Sequence, residues 1–89
     1  MEIKRGTVVR SRAGHDSGLL LAVLKTDGKF ALTADGKTRT IISPKRKNLI
    51  HLIATAAVLS EEEMESDSSL RKALRRFSAD RPSKEDNNT

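Results

Sequence analysis

The sequence predicts a mainly β fold, in which residues 1–59 form a small, strongly bent barrel of five short strands and a short helix follows. Three observations support this prediction. Short segments rich in β-branched residues alternate apolar and polar side chains, Asp-Gly-Lys occurs twice between them, and the pattern becomes helical after Leu59. With 89 residues, the chain is expected to form one small domain that buries about 60–65% of its unfolded surface.

Alternation and turn chemistry predict the first three strands. Residues 3–11 and 19–26 form the first two, and residues 29–34 form the third, with Phe30 at a core position. Asp-Gly within residues 27–29 is typical of a type I′ hairpin, whose two central residues both need positive φ. The first half of the barrel is therefore expected to be an antiparallel meander.

A second Asp-Gly-Lys turn leads to the predicted fourth strand. This turn covers residues 35–37, and the strand covers residues 37–43 until Pro44 stops it, since proline lacks an N–H. A basic connection follows, and residues 49–59 are rich enough in Ile, Leu and Val to form the fifth strand. Closure of the five strands into a barrel would remove exposed sheet edges.

The acidic segment after Leu59 predicts a helical appendage over residues 60–77. Ser60 and Glu63 have the spacing of a capping box, which favours a short turn at 61–65. A helix is expected over residues 68–77, because its apolar residues fall on one stripe. That stripe comprises Leu70, Ala73, Leu74 and Phe77. A helix this short needs something to pack on, and the barrel is the simpler expectation. The polar tail, residues 78–89, is predicted to be disordered.

Composition narrows the classes of function. The chain has no cysteine and two histidines, so we expect neither a metal site nor a cofactor, and no disulfide. The longest apolar run is too short to span a membrane, and the N-terminus lacks the apolar core of a signal peptide. We therefore expect a cytoplasmic monomer that is not an enzyme, has no small-molecule substrate and does not enter a membrane.

Charge is divided unevenly along the chain. Residues 1–59 contain eleven Lys/Arg and four acidic residues, a net charge of +7, whereas residues 60–89 contain six and eight, a net charge of −2. A polyanion is the natural partner of such a basic segment, although a lysine-rich surface also serves solubility alone.

Residues 6–24 read GTVVRSRAGHDSGLLLAVL and resemble the KOW motif of ribosomal large-subunit proteins and transcription elongation factors. The resemblance consists of an alternating strand after Gly6, a short polar loop, Gly18 and a second alternating strand. With the Asp-Gly-Lys turns and the PKRKN connection, it extends over residues 4–55 to stand-alone KOW proteins related to the archaeal and eukaryotic-type L14 ribosomal protein family. It implies an SH3-like barrel that binds RNA, typically ribosomal RNA, through loops and basic residues.

The resemblance and the charge pattern together give a set of candidate RNA-binding residues. They are Arg10, Arg12, His15, Ser17, Lys37, Arg39, Lys45, Arg46 and Lys47. His15 and Ser17 stand where such proteins often have Lys or Arg, which removes charge from that loop. We favour residues 45–47 as a phosphate clamp, with a nuclear-localisation signal or a solvated turn as alternatives. His51 is expected to lie in an apolar strand and bind a backbone group, with stacking on RNA as the alternative.

The Gly-His-Asp sequence at 14–16 does not predict catalysis. A Ser-His-Asp site is defined by the geometry of separated elements, and no other catalytic motif accompanies this one. We expect Gly14 and Gly18 to permit backbone conformations closed to other residues, and Asp16 to cap the turn.

The scarcity of aromatic residues predicts how RNA would be bound. The chain has no Tyr, no Trp and two Phe, whereas proteins that read unpaired bases use aromatic platforms. We therefore expect contacts with the phosphates and sugars of structured RNA. The KOW resemblance implies a ribosome-associated or translation-related role. The alternatives are a protein-interaction module, with the helical stripe as a docking surface, and a transcription-associated KOW factor.

Overall fold

A computed structural model describes residues 2–12 and 17–79. It contains five strands and one α-helix, so the predicted mainly β fold with a C-terminal helix is confirmed. The strands are β1 (Thr7–Ser11), β2 (Leu20–Asp27), β3 (Phe30–Ala34), β4 (Lys45–Asn48) and β5 (Leu52–Val58), and the helix is α1 (Asp67–Ala79). Short 3₁₀ turns at Leu49–His51 and Glu62–Met64 precede β5 and α1.

The strands form one antiparallel sheet in the order β4-β3-β2-β1-β5. Within the described residues, β4 and β5 are its two edges, so the predicted closed barrel and its removal of edges are wrong. These strands are nevertheless consecutive in the chain and only the turn Leu49–His51 separates them. The sheet must therefore curl until its edges approach at one end. Register shifts in the β2–β3 and β1–β5 pairs accompany this curl.

The first Asp-Gly-Lys sequence forms the predicted hairpin between β2 and β3, but with a different turn. Asp27 pairs with Phe30, so Gly28 and Lys29 are the two central residues. Gly28 has φ +62°, and no described residue other than glycine has positive φ. That combination of signs belongs to a type II′ turn, not to the predicted type I′ turn, because type II′ needs positive φ only at its first central residue.

The predicted strand at 37–43 is wrong, because the second Asp-Gly-Lys sequence closes a loop. The Asp35 carboxylate accepts hydrogen bonds from the backbone N–H groups of Lys37 and Arg39, at 2.9 and 2.8 Å. These bonds curl the chain, and Ile42, which the alternation suggested for a strand, is 94% exposed. The fourth strand instead follows Pro44, over the basic residues that we expected to form a connection.

In the part of the chain that the structure describes, the core has one apolar cluster on each side of the sheet. The cluster on the α1 side contains Val8 and Ala22 of the sheet together with Leu70 and Leu74 of the helix, and Phe77 packs at its margin. The cluster on the opposite side contains Val9, Leu21, Val23, Ala31 and Leu52. The predicted helical stripe is therefore buried against the sheet, which leaves it unavailable as a separate docking surface.

The approach to α1 is fixed by the predicted capping box. The Ser60 N–H donates to Oε1 of Glu63 at 2.8 Å, and the Glu63 N–H donates to Ser60 Oγ at 3.2 Å. The helix begins at Asp67, whose carboxylate accepts from the N–H of Ile41. It continues through Ala79, past the predicted end at 77 and into the segment predicted to be disordered. The rest of that tail lies outside the described residues.

We expect the stability of the domain to fall in acid partly through Glu63. The Ser60 backbone N–H and then Arg76 lower the pKa of Glu63. A lowered pKa in the folded state stabilises the fold above the unfolded value of about 4.3, and that contribution is lost as pH falls through the folded pKa. Glu63→Gln keeps a capping group without the charge. Urea unfolding at pH 7 and pH 3 should therefore show a smaller difference for Glu63→Gln than for the parent, and an unchanged difference would contradict this role.

Candidate nucleic-acid interface

Strand β4 divides the predicted phosphate clamp between the two faces of the sheet, because successive side chains of a strand point to opposite faces. Arg46 lies opposite Leu32, which shares a face with Ala34 of the α1-side cluster. Lys47 lies opposite Ala31, which belongs to the other cluster. Arg46 therefore lies on the α1 side of the sheet, whereas Lys45 and Lys47 lie on the far side.

Arg46 forms part of a small pocket on the α1 side of the sheet. Its guanidinium lies 3.9 Å from the centroid of the Phe30 ring. Lys25 lies opposite Leu32 in the neighbouring pair of strands and also lines the pocket. Phe30 is half-buried beneath the guanidinium and belongs to neither apolar cluster of the described residues, so its predicted core position is wrong.

A second pocket, which we call the helix cleft, lies between α1 and the loop that follows β3. It has a volume of about 230 Å³. Lys37 of the loop and Arg71 and Arg75 of α1 supply its cations, and Leu19, Leu20 and Leu74 supply its apolar wall. Arg71 donates to the carbonyl oxygen of Gly36 at 2.7 Å, which ties the helix to the loop. The described residues thus bring cations from two distant parts of the chain to one concave site.

One acidic side chain also lines the helix cleft. Asp35 is buried, and its Oδ1 atom accepts two backbone N–H groups of its own loop. Among the described residues of the lining, three cations exceed one carboxylate, so this part of the cleft has a net positive charge. Asp35 shapes the loop that presents Lys37, and the cleft suits an anion.

The β1–β2 loop is described only in part. Arg10 points to the α1 side with Val8 and donates to the carbonyl oxygen of Gly18 at 3.0 Å. Gly18 has φ +86°, a conformation that favours glycine, as predicted. The structure describes this loop as far as Arg12 and again from Ser17, and both of these residues are exposed. The predictions for Gly14, His15 and Asp16 lie outside the described residues.

Neither Arg39 nor His51 lines the helix cleft. Arg39 is half-buried, and its carbonyl oxygen accepts from the N–H groups of Asp35 and Gly36 at 2.9 Å. His51 is exposed in the turn before β5, where its carbonyl oxygen accepts from the N–H of Arg12. The prediction that His51 lies in an apolar strand is wrong, because the chain turns at Leu49–His51 to leave one sheet edge for the other.

The acidic segment after β5 pairs with cations outside the predicted set. Both carboxylate oxygens of Glu61 accept from the Arg5 guanidinium, at 2.7 and 2.8 Å. This contact lowers the pKa of Glu61 and raises the pKa of Arg5. Glu63 pairs with Arg76 in the same region. The segment therefore has partners of its own, away from the helix cleft.

Sequence reasoning missed the basic residues of α1. Arg71 and Arg75 are four positions apart and therefore on the same face of the helix, directly beside the buried Leu74. That spacing was a usable signal, but it did not show which loop would face the pair. Lys25 was also missed, because only the strand register places it beside Arg46.

Residues 2–12 and 17–79 contain neither a candidate cluster of metal ligands nor a helix suited to cross a membrane. No group of three or more metal-ligating side chains occurs there. None of the helices in this part of the chain combines the length and apolar character needed to cross a bilayer.

Comparison with models of protein families finds no match, and comparison with curated protein sequences finds no similar protein.

Proposed function

We propose that this protein binds structured RNA through phosphate contacts on the α1 side of its sheet. One observation carries the proposal: cations from five separate segments lie on that side. They are Arg10 of β1, Lys25 of β2, Arg46 of β4, and the helix cleft set Lys37, Arg71 and Arg75. A surface of this kind attracts a polyanion.

The chemistry of the helix cleft fits a phosphodiester. Arg71 uses one nitrogen to hold the Gly36 carbonyl, which fixes its guanidinium plane and leaves other N–H donors for a ligand. Lys37 and Arg75 are exposed at the rim, where their charged ends can reach a phosphate. Contacts of this kind position a protein on the RNA backbone and carry no base sequence, so selectivity would come from the shape of the RNA.

The fold supports the proposal through the KOW resemblance. That resemblance implies an SH3-like barrel, and a curled antiparallel sheet of five strands is compatible with an open form of it. The resemblance extends the proposal to ribosomal RNA, and to a translation-related role in the cytoplasm.

The salt dependence of RNA binding tests the proposal. The full chain should bind a base-paired RNA hairpin. Its affinity should fall steeply between about 50 and 200 mM salt, because phosphate contacts release counterions. Lys37→Gln combined with Arg75→Gln should lower the slope of log affinity against log salt by roughly 1.5–2 units, because each lost phosphate contact removes about one.

A matched control removes the same charge elsewhere. Arg5→Gln combined with Arg76→Gln deletes two cations that already pair with Glu61 and Glu63. We expect this pair to change the slope by less than about 0.5 unit. Equal losses in both double variants would mean that net charge alone drives binding. No measurable binding of the parent chain to the hairpin would overturn the proposed function.

A further inference from the structure

The pocket beside β4 has features that phosphate binding does not require. It has a volume of about 170 Å³, far smaller than a site for a drug-sized ligand. It is lined by Lys25, Asp27, Phe30, Ala31, Leu32 and Arg46. We call it the Phe30 pocket. Its size suits one flat ring system.

The stacked pair at the Phe30 pocket provides a flat surface. The Arg46 guanidinium lies over the Phe30 ring, 3.9 Å from its centroid, and Arg46 is exposed to solvent. One of the two phenylalanines of the chain is thus placed at a pocket and outside both apolar clusters of the described core. Aromatic rings and guanidinium planes are the surfaces on which proteins stack unpaired bases.

The polar groups of the Phe30 pocket differ in what they can bind. Asp27 is exposed at the end of β2, directly opposite Phe30, and its carboxylate only accepts hydrogen bonds. Lys25 and Arg46 lie on the same side and supply positive charge. A ligand that fits all three must combine a flat ring, hydrogen-bond donors at its edge and an anionic group. A nucleotide has this combination.

Among the bases, guanine matches the carboxylate best. It presents two adjacent donors, N1–H and the N2 amino group, to the two carboxylate oxygens, as an arginine fork does. Adenine and cytosine place a ring acceptor beside their amino group, and uracil flanks its single N–H with two carbonyl groups. We infer that the Phe30 pocket binds one unpaired guanine nucleotide, stacked on the Phe30–Arg46 pair with its donor edge at Asp27. The inference rests on the proposed function only in taking this guanine to be part of an RNA.

Titration of the full chain with GMP and with UMP, followed by NMR, tests the inference directly. GMP should shift the amide signals of residues 25–32 and should bind roughly tenfold more tightly than UMP. Phe30→Leu should weaken GMP binding by roughly tenfold, because stacking on an aromatic ring contributes about that factor. Phe77→Leu makes the same change at the margin of the core, where Arg76 lies 5.6 Å from the ring centroid, and should leave GMP binding unchanged.

Asp27→Asn separates base recognition from simple charge attraction. The substitution raises the net charge by one, so attraction alone would strengthen the binding of both nucleotides. The inference instead expects the preference for GMP over UMP to disappear. Equal affinities of the parent chain for GMP and UMP, or unchanged GMP affinity in Phe30→Leu, would overturn it.

The hairpin of the salt experiment distinguishes the two proposals. Salt-dependent hairpin binding without GMP shifts at residues 25–32 would overturn the pocket and leave phosphate-directed RNA binding intact. GMP shifts at those residues without hairpin binding would overturn the proposed function and leave a guanine nucleotide site. An RNA hairpin with one bulged G should bind roughly tenfold more tightly than one with a bulged U if both hold.

Discussion

Gly36→Ala is expected to lower the free energy of unfolding by about 3 kcal/mol or more, combining backbone strain with overpacking. Gly36 has φ +78°, where a side chain is strained. Its added Cβ would also overlap the carbonyl oxygen of Asp67 and lie 3.1 Å from Cγ of Arg71. Both neighbours belong to the first turns of α1, so relief would require the loop to move away from the helix. Thermal melts should show a decrease of about 4–8 °C per kcal/mol.

Gly28→Ala is the matched control for the overlap at Gly36. Gly28 also has positive φ, +62°, but nothing lies within 4 Å of an added Cβ. Its substitution should therefore cost only the backbone strain, about 1–2 kcal/mol. Equal losses for both variants would show that the loop after β3 is not held against α1 as closely as the structure has it.

Leu70→Ala is expected to destabilise the domain by about 2–5 kcal/mol, the range for a large-to-small change in a core. Leu70 is fully buried, with 0% exposure, between α1 and the sheet, where it belongs to the same cluster as Val8 and Ala34. For a domain of this size, whose total stability is of order 5–10 kcal/mol, such a loss brings the chain close to unfolding. Urea denaturation measures the loss.

Lys72→Ala tests whether the effect comes from burial and not from helix propensity. Lys72 is exposed on the same helix, and alanine is a slightly better helix former than lysine, so the change should stay within about 0.5 kcal/mol. If Leu70→Ala were no worse than Lys72→Ala, α1 would not be part of the core. The apolar stripe of the helix would then be available to a partner, as the interaction-module hypothesis requires.

The packing of α1 also changes where RNA binding would be located. The charge division of the sequence suggested that residues 1–59 hold the basic surface by themselves. The structure places Arg71 and Arg75 of the helix in the same cleft as Lys37 of the loop. A chain truncated after Leu59 would therefore lose two of the cations that the proposed function uses.

Local patterns in the sequence determined the elements whose signals are local. Alternation predicted β1, β2 and β3, Asp-Gly placed the first hairpin, and the spacing of Ser60 and Glu63 predicted the capping box. The helical stripe predicted both α1 and the face that it buries, because apolar side chains three and four positions apart must share a surface away from water.

Only the tertiary structure decided the rest, because the deciding contacts join distant residues. The two Asp-Gly-Lys sequences are identical, yet only the second forms a loop that α1 holds: Arg71 donates to the Gly36 carbonyl oxygen, and Asp67 accepts from the N–H of Ile41. Residues 37–43 belong to this loop, so the strand that pairs with β3 lies after Pro44, over the basic residues. Pairing with β3 places Arg46 on the opposite face of the sheet from Lys45 and Lys47. Phe30 and Lys25 lie on the same face as Arg46. The helix cleft likewise depends on packing between elements more than thirty residues apart, as in the bond between Arg71 and Gly36, whose sequence separation is 35. No local pattern carries that information.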